Sequence, residues 1–265
     1  MQNTLLEAGG VRLSVRESGP VDAPAVVLVH GWAQSGEVWS PLPSLRTYAP
    51  DLRGHGGSEV VGDGYRESVA WAADLKAVLD HVGRSAVLVG WSYGGLVIAD
   101  YLRVHGTVGV DGVVLVGAIT EIGPERVGGR TGKVMREALP AAFSEDPEVA
   151  VPALARFCRE QAPGLGGDVV QRMLGTALRV PPRVRREVFR RDVDSAAVLE
   201  SVDKPTLVVH GTADEVVDPV AGEYAAALIP GADLRRYDGV AHVPFLERPE
   251  RFAADLAGFV AEVSR

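Results

Sequence analysis

Four runs, 25–29 (AVVLV), 86–89 (AVLV), 113–116 (VVLV) and 206–209 (TLVV), are apolar at essentially every position instead of at alternate ones. A strand with one wet face alternates, whereas a continuous β-branched run fits a strand covered on both faces by helices. Between the runs lie segments with helical spacing, such as Val69, Ala73, Leu75, Val78, Leu79 and Val82, then Leu96, Val97, Ala99, Tyr101 and Leu102. Strands alternating with helices predict an α/β fold around a mostly parallel sheet. Val11, Leu13 and Val15 alternate with polar neighbours and predict a half-buried strand near the start. From Glu121 to about position 197 no strand-like run occurs, so a helical insertion is expected there. Its helices are predicted over 131–139, 149–161, 168–178 and 182–189, with Pro124, Pro147, Pro163 and the pair Pro181-Pro182 as breaks.

A chain of 265 residues should fold to roughly 11,000 Å² of surface and bury about 73% of what it exposes unfolded, ample for one core. Its apolar runs are far shorter than the roughly 20 residues a membrane-spanning helix needs. The opening MQNTLLEAGG has neither a basic nor an apolar leader region, and a cytoplasmic location is expected. One cysteine, Cys158, leaves no partner for an intrachain disulfide and no cysteine-based zinc cluster. A net charge of -8 repels nucleic acid at long range, so no nucleic-acid partner is expected.

The most informative residues are Gly90-Trp91-Ser92-Tyr93-Gly94, which follow a predicted strand and precede a predicted helix. A serine in so sharp a turn needs neighbours without side chains if its Oγ is to stand clear, and Ser92 is the candidate nucleophile. A hydroxyl attacks only once a base takes its proton, so a histidine and an acid to orient it must exist. Of six histidines, His242 lies in a loop between a predicted strand, 234–237, and the last predicted helix, Pro249–Val263. Loops at the strands' C-terminal ends are where such sheets carry their ligands. His30 and His210 each close a buried strand and read as structural. The acid is sought after the strand 206–209, where Asp214 in the tight turn is preferred over Glu215, Asp218 and the more distant Glu121; Asp218 precedes Pro219 and suits a helix cap. The order Ser92, Asp214, His242 is that of one hydrolase architecture among several with the same triad. The backbone N–H of Tyr93, after the nucleophile, and that of Trp32, after Gly31, are the candidate oxyanion donors. Trp32 and Trp91 are expected to touch substrate.

Four motifs carry a resemblance: His30-Gly-Trp32 with Glu37-Val-Trp39 downstream, Asp51-Leu-Arg-Gly-His-Gly-Gly-Ser58, Gly90-Trp-Ser-Tyr-Gly-Gly95, and the stretch from Ala241 to Phe252. With them the chain resembles the α/β-hydrolase superfamily over essentially its whole length, closest in motif to carboxylesterases that cleave pimeloyl methyl ester on acyl carrier protein and to cofactor-free haloperoxidases, which are esterases with perhydrolase activity. The resemblance implies an α/β-hydrolase core, 1–120 and 198–265, and a helical cap, 121–197, inserted after the sixth strand. It implies hydrolysis of a small carboxylic ester through an acyl-enzyme, with no metal and no organic cofactor. Serine at the nucleophile position argues against the epoxide and haloalkane chemistries, whose enzymes carry aspartate there. Perhydrolysis, lactone or carbon–carbon bond hydrolysis, and a slow receptor on the same fold remain open alternatives. Phe143, Phe157, Met135, Met173 and Leu174 suit either an acyl channel or the packing of cap helices on one another. The cap holds 13 of the 27 basic residues against 11 acidic ones, and Arg183, Arg185, Arg186, Arg190 and Arg191 are concentrated in one segment. Such a cluster is expected to be a solvated helix face, or a patch for a substrate anion or an acidic carrier protein.

Overall fold

A computed structural model describes residues 2–264; Met1 and Arg265, the outermost positions of the expected core, lie outside the described residues. One sheet holds β1 (Gln2–Ala8), β2 (Val11–Ser18), β3 (Ala25–Val29), β4 (Arg46–Pro50), β5 (Ala86–Trp91), β6 (Val110–Val116), β7 (Thr206–Gly211) and β8 (Asp233–Tyr237). The helices are α1 (Ser68–Val82), α2 (Tyr93–His105), α3 (Lys133–Ala142), α4 (Pro147–Glu160), α5 (Gly167–Arg179), α6 (Pro182–Glu187), α7 (Ala196–Glu200), α8 (Pro219–Leu228), α9 (Pro244–Glu247) and α10 (Pro249–Val263).

The strand order is β1-β2-β4-β3-β5-β6-β7-β8, antiparallel at β1-β2 and β2-β4 and parallel from β4 onward. All four continuous runs are strands, and β3, β5 and β7 are buried at every residue. Covering on both faces explains the pattern. On β6, Gly112 turns to the Phe259 ring of α10, while Val113 and Leu115 face Ile98 and Leu102 of α2. Folded surface comes to 10548 Å². Among the described residues no helix is long and apolar enough to cross a membrane.

Two strands, β1 and β4, carry no strand signature in the sequence. Along β1 only Ala8 is buried, because the strand is the outer half of a hairpin with β2. The five residues of β4, RTYAP, begin with arginine and end in proline, and they form a strand because β2 and β3 flank them.

After β6 come α3 to α6, of which α3 packs on α4 and α4 on α5; α7 instead lies against α2 and α8. The boundary expected between 197 and 198 lies within α7. The chain runs from β3 to β4 on one side and returns through α1 to β5 on the other. Loops leaving β3 and β5 thus flank a crevice at the C-terminal end of the sheet, where the strand order reverses.

Candidate active site

Ser92 sits between β5 and α2 with φ 55° and ψ -120°, a conformation that costs a side-chain-bearing residue about 1–3 kcal/mol. The crowding around it explains the flanking glycines. A Cβ on Gly94 would lie 2.3 Å from the Val29 carbonyl oxygen, and one on Gly31 would lie 2.9 Å from the Ser92 Cβ. Both loops of the crevice can therefore close onto the serine only with hydrogen at those positions. Ser92 is held by its backbone, with its N–H donating to the Val116 carbonyl at 3.0 Å and its carbonyl accepting from Gly95 and Ile119. Among the described residues its Oγ has no protein partner.

Asp214 and His242 come from the loops after β7 and β8. His242 Nδ1 is 2.8 Å from Asp214 Oδ2, and both side chains are almost fully buried. The other carboxylate oxygen accepts from the N–H groups of Val216 and Val217, which fixes the turn. Burial by itself raises the Asp214 pKa, but the charge of His242 and hydrogen bonds from His210 and His242 outweigh it and hold the carboxyl well below the usual range. Gly117 joins this pair to the serine: a Cβ on it would lie 3.2 Å from Asp214 Oδ2 and 3.3 Å from His242 Nδ1, in the same loop that binds the Ser92 backbone.

The other candidate acids are spent elsewhere. Asp218 caps α8 through the Val220 N–H. Glu121 accepts from the Gly128 and Ser195 N–H groups and from the Tyr224 hydroxyl, and Glu215 is exposed.

The backbone N–H groups of Trp32 and Tyr93 make no hydrogen bond to another described residue. Tyr93 opens α2, so its N–H is one of the helix's unpaired donors and carries the positive end of the helix dipole. A serine, a buried histidine–carboxylate pair and two N–H groups without a partner among the described residues lie on loops at the C-terminal end of a parallel sheet, and these are the kinds of group that acyl transfer uses.

Residues 26–255 match the alpha/beta hydrolase family. The chain belongs to that family. This alpha/beta hydrolase is 31% identical over 262 residues to a pimeloyl-[acyl-carrier protein] methyl ester esterase of Aromatoleum aromaticum, covering 92% of this chain and 100% of the relative. It is 32% identical to a non-heme haloperoxidase of Rhodococcus erythropolis, over 89% of this chain and 91% of that protein. Among solved structures, the esterase RhEst1 from Rhodococcus sp. ECU1013 superposes with a TM-score of 0.96 at 42% identity, covering 99% of this chain and 100% of that one.

Trp91 departs from expectation. Its indole N–H donates to the His242 carbonyl at 2.9 Å, its ring packs on His242 and Phe245, and it is 1% exposed. Side chains alternate along β5, and that of the residue before the serine points toward the histidine loop. Trp32 does line a narrow cleft beside Ser92, with Tyr93, Ile119, Met135, Phe189 and Val216. Phe143 and Phe157 pack edge-on against Trp32, while Met173 lines a separate groove of about 500 Å³ between α5 and the loop 34–41, with Arg172 and Arg179 at its rim.

The arginine cluster at 183–191 is also not what its sequence implies. Arg185 and Arg191 are buried. The Arg185 guanidinium donates to the carbonyls of Ala142, Ala177 and Val180, which tie the ends of α3 and α5 together. Arg183 bonds to the Val61 and Gly62 carbonyls, Arg186 to that of Phe143, and Arg190 to Glu187. A guanidinium supplies five donors in a planar fork, which suits it to gather orphan carbonyls at helix ends.

Several groups that hold the site loops carry no signal in sequence. The Glu247 carboxylate accepts from the N–H groups of Ala241 and Val243, on either side of His242, and the His242 N–H donates to the Gln161 carbonyl at the end of α4. Asp51, from the DLRGHGGS motif, accepts from Arg16 and from the N–H groups of Gly36 and Gly57. His30 Nε2 accepts the Leu52 N–H at 2.9 Å, so its ring is a brace for the loop that carries Trp32.

Proposed function

We propose that Ser92, His242 and Asp214 hydrolyse a carboxylic ester through an acyl-enzyme intermediate. Ser92 Oγ attacks the carbonyl carbon as His242 takes its proton, and the proton then passes to the leaving alkoxide. Asp214 holds the imidazole with Nδ1–H toward it and balances the charge that forms on the ring. The N–H groups of Trp32 and Tyr93 hold the oxyanion in both tetrahedral intermediates. Water, deprotonated by His242, releases the acid and restores Ser92. The observation that carries this reading is the buried 2.8 Å Asp214–His242 contact, delivered by two separate strands to the end of the sheet where Ser92 stands.

Trp32, Met135 and Phe189 wall the cleft at Ser92, and from these bulky side chains we infer a preference for short acyl groups. Turnover of p-nitrophenyl esters from acetyl to dodecanoyl, with Ser92→Ala as the blank, tests both statements. A Ser92-dependent signal that falls as the chain lengthens is expected; an equal signal in the blank would overturn the assignment, and an optimum at long chains would overturn the size inference.

The esterase relative that acts on a carrier-bound pimeloyl ester motivates a second reading, in which an acyl carrier protein presents the substrate. Its supporting feature is the 500 Å³ groove, with Arg172 and Arg179 exposed beside it, in place of the cluster at 183–191. Cleavage of a carrier-bound methyl ester at a rate well above that of the free ester is its signature. The haloperoxidase relative motivates a variant in which hydrogen peroxide replaces water at the acyl-enzyme and leaves as a peracid; halide oxidation in acetate and peroxide reads it. The buried, single Cys158 accords with the cytoplasmic location that belongs to this proposal.

A further inference from the structure

Both candidate oxyanion residues have their side chains tied to one stretch of the cap. Trp32 Nε1 donates to the Arg185 carbonyl at 3.1 Å, and the Tyr93 hydroxyl donates to the Val188 carbonyl at 3.0 Å. The Phe189 ring stands against both, 5.6 Å from the Trp32 ring and 6.2 Å from that of Tyr93. Arg191 completes the stretch. Its Nη1 donates to the Tyr93 hydroxyl at 3.0 Å, while Nη2 reaches both oxygens of Asp100, at 2.8 and 2.7 Å, and the Ser68 hydroxyl. The side chains of Arg191 and Asp100 are 0% exposed.

Such a pair needs a reason, because desolvating two charges is so costly that a well-packed apolar pair often holds a fold as well. Its placement supplies one. Tyr93 is the first residue of α2 and Asp100 lies two turns further on, so a single guanidinium holds the helix that begins at the nucleophile at both points. Trp32 lies in a loop, followed by Ala33 at φ 55°, where helix geometry fixes no N–H direction. Donors to an oxyanion act only when aimed in advance at where the charge develops, and displacements of about 1 Å at a reacting centre cost about 10²-fold in rate. The stretch is itself anchored, since the Arg185 guanidinium binds carbonyls at the ends of two cap helices.

We propose that the cap segment 185–191 is a positioning element for the oxyanion hole, in which the Arg191–Asp100 pair holds Tyr93 and the Arg185 carbonyl holds Trp32. The proposal rests on Ser92 being the nucleophile. It makes the cap part of the catalytic apparatus as well as a wall of the acyl cleft.

Two variants test it on p-nitrophenyl acetate, beside wild type and Ser92→Ala. Tyr93→Phe deletes one hydroxyl and leaves the ring between Trp71 and Phe189; Arg191→Lys keeps the charge and loses the fork. We expect each to lower kcat by about tenfold with KM within about twofold, the pattern of an interaction made in the transition state. Affinity for phenylboronic acid, which forms a tetrahedral adduct with the serine, should fall by the same factor. The double variant should be no slower than Arg191→Lys alone, because the hydroxyl is the route by which the guanidinium acts. Unchanged kcat and boronate affinity with a lowered melting temperature, or a change confined to KM, would overturn the proposal. If Arg191→Lys does not fold, Tyr93→Phe decides alone. Failure of the underlying assignment is distinct, because wild-type turnover would then survive in Ser92→Ala.

Discussion

The indole N–H of Trp91 donates to the backbone carbonyl of His242 at 2.9 Å, so the residue before the proposed nucleophile holds the loop that carries the proposed base. Ser92 and His242 lie 150 positions apart in sequence, and this bond makes their loops one unit. With Glu247 and the Gln161 carbonyl, it leaves the His242 main chain little freedom. Trp91→Phe keeps an aromatic ring against Phe245 and removes the donor. We expect kcat to fall by about 10-fold with KM nearly unchanged, since a base that drifts costs rate and not ground-state binding. Steady-state kinetics on a short-chain ester check this, and an unchanged kcat would show that the loop is held without Trp91.

Asp214 and Asp218 are separated by one turn of chain and have different work. Asp214→Asn should lower kcat by about 10⁴-fold, because the amide no longer balances the imidazolium and presents the wrong partner to Nδ1. Asp218→Asn should leave kcat unaltered and change stability by a few tenths of a kcal/mol at most, since asparagine caps helices as well as aspartate does. Parallel kinetics and thermal melts of the two variants distinguish the roles, and the reverse result would move the acid to Asp218.

His30 and His55 lie side by side, ring centroids 5.3 Å apart, both buried. Burial pushes the His30 pKa well below its ordinary value, helped by the charge of His55, and pushes that of His55 down to about 4. The unfolded chain takes up these protons near pH 6.5 and the folded one does not, so stability is complete above that pH and is lost as pH falls. The slope is about 1.4 kcal/mol per pH unit for each histidine. Asp214, with a folded value below its unfolded one, adds its loss only below about pH 4. Urea midpoints from pH 7.5 to 5 should fall steadily, and less steeply in His55→Gln; a flat profile would contradict the reading of both rings as buried and neutral.

How much of this was legible in sequence follows from which patterns are local. The continuous runs announce their strands because burial on both faces leaves a mark in every residue, and Gly90 and Gly94 mark Ser92 because crowding there admits nothing larger. Arg46 to Pro50 shows no such mark, because the strand exists only through its neighbours. Nor does the sequence tell a buried arginine from an exposed one: Arg185 and Arg190 look alike, and only the tertiary positions of the α3 and α5 carbonyls draw Arg185 inside. Glu247 is in the same position. Its task depends on α9 folding back over the His242 loop, and the motif around it shows the spacing without the direction of the side chain.

Gly222 offers a case in which two effects of known size oppose one another. It lies within α8, where replacing glycine by alanine stabilises an exposed helix by about 1 kcal/mol. A Cβ there would, however, lie 2.4 Å from Nδ1 of His210. That ring cannot retreat freely, since its Nε2 is 3.2 Å from the Val217 carbonyl and 3.3 Å from Asp214 Oδ2. Overpacking a well-filled site costs about 1–3 kcal/mol, so the clash should win and Gly222→Ala should be destabilised. The displacement is passed through His210 to Asp214, and kcat should fall with it. A thermal melt and a kcat measurement on the one variant read both effects, and a more stable protein with full activity would mean that His210 moves aside without disturbing the acid.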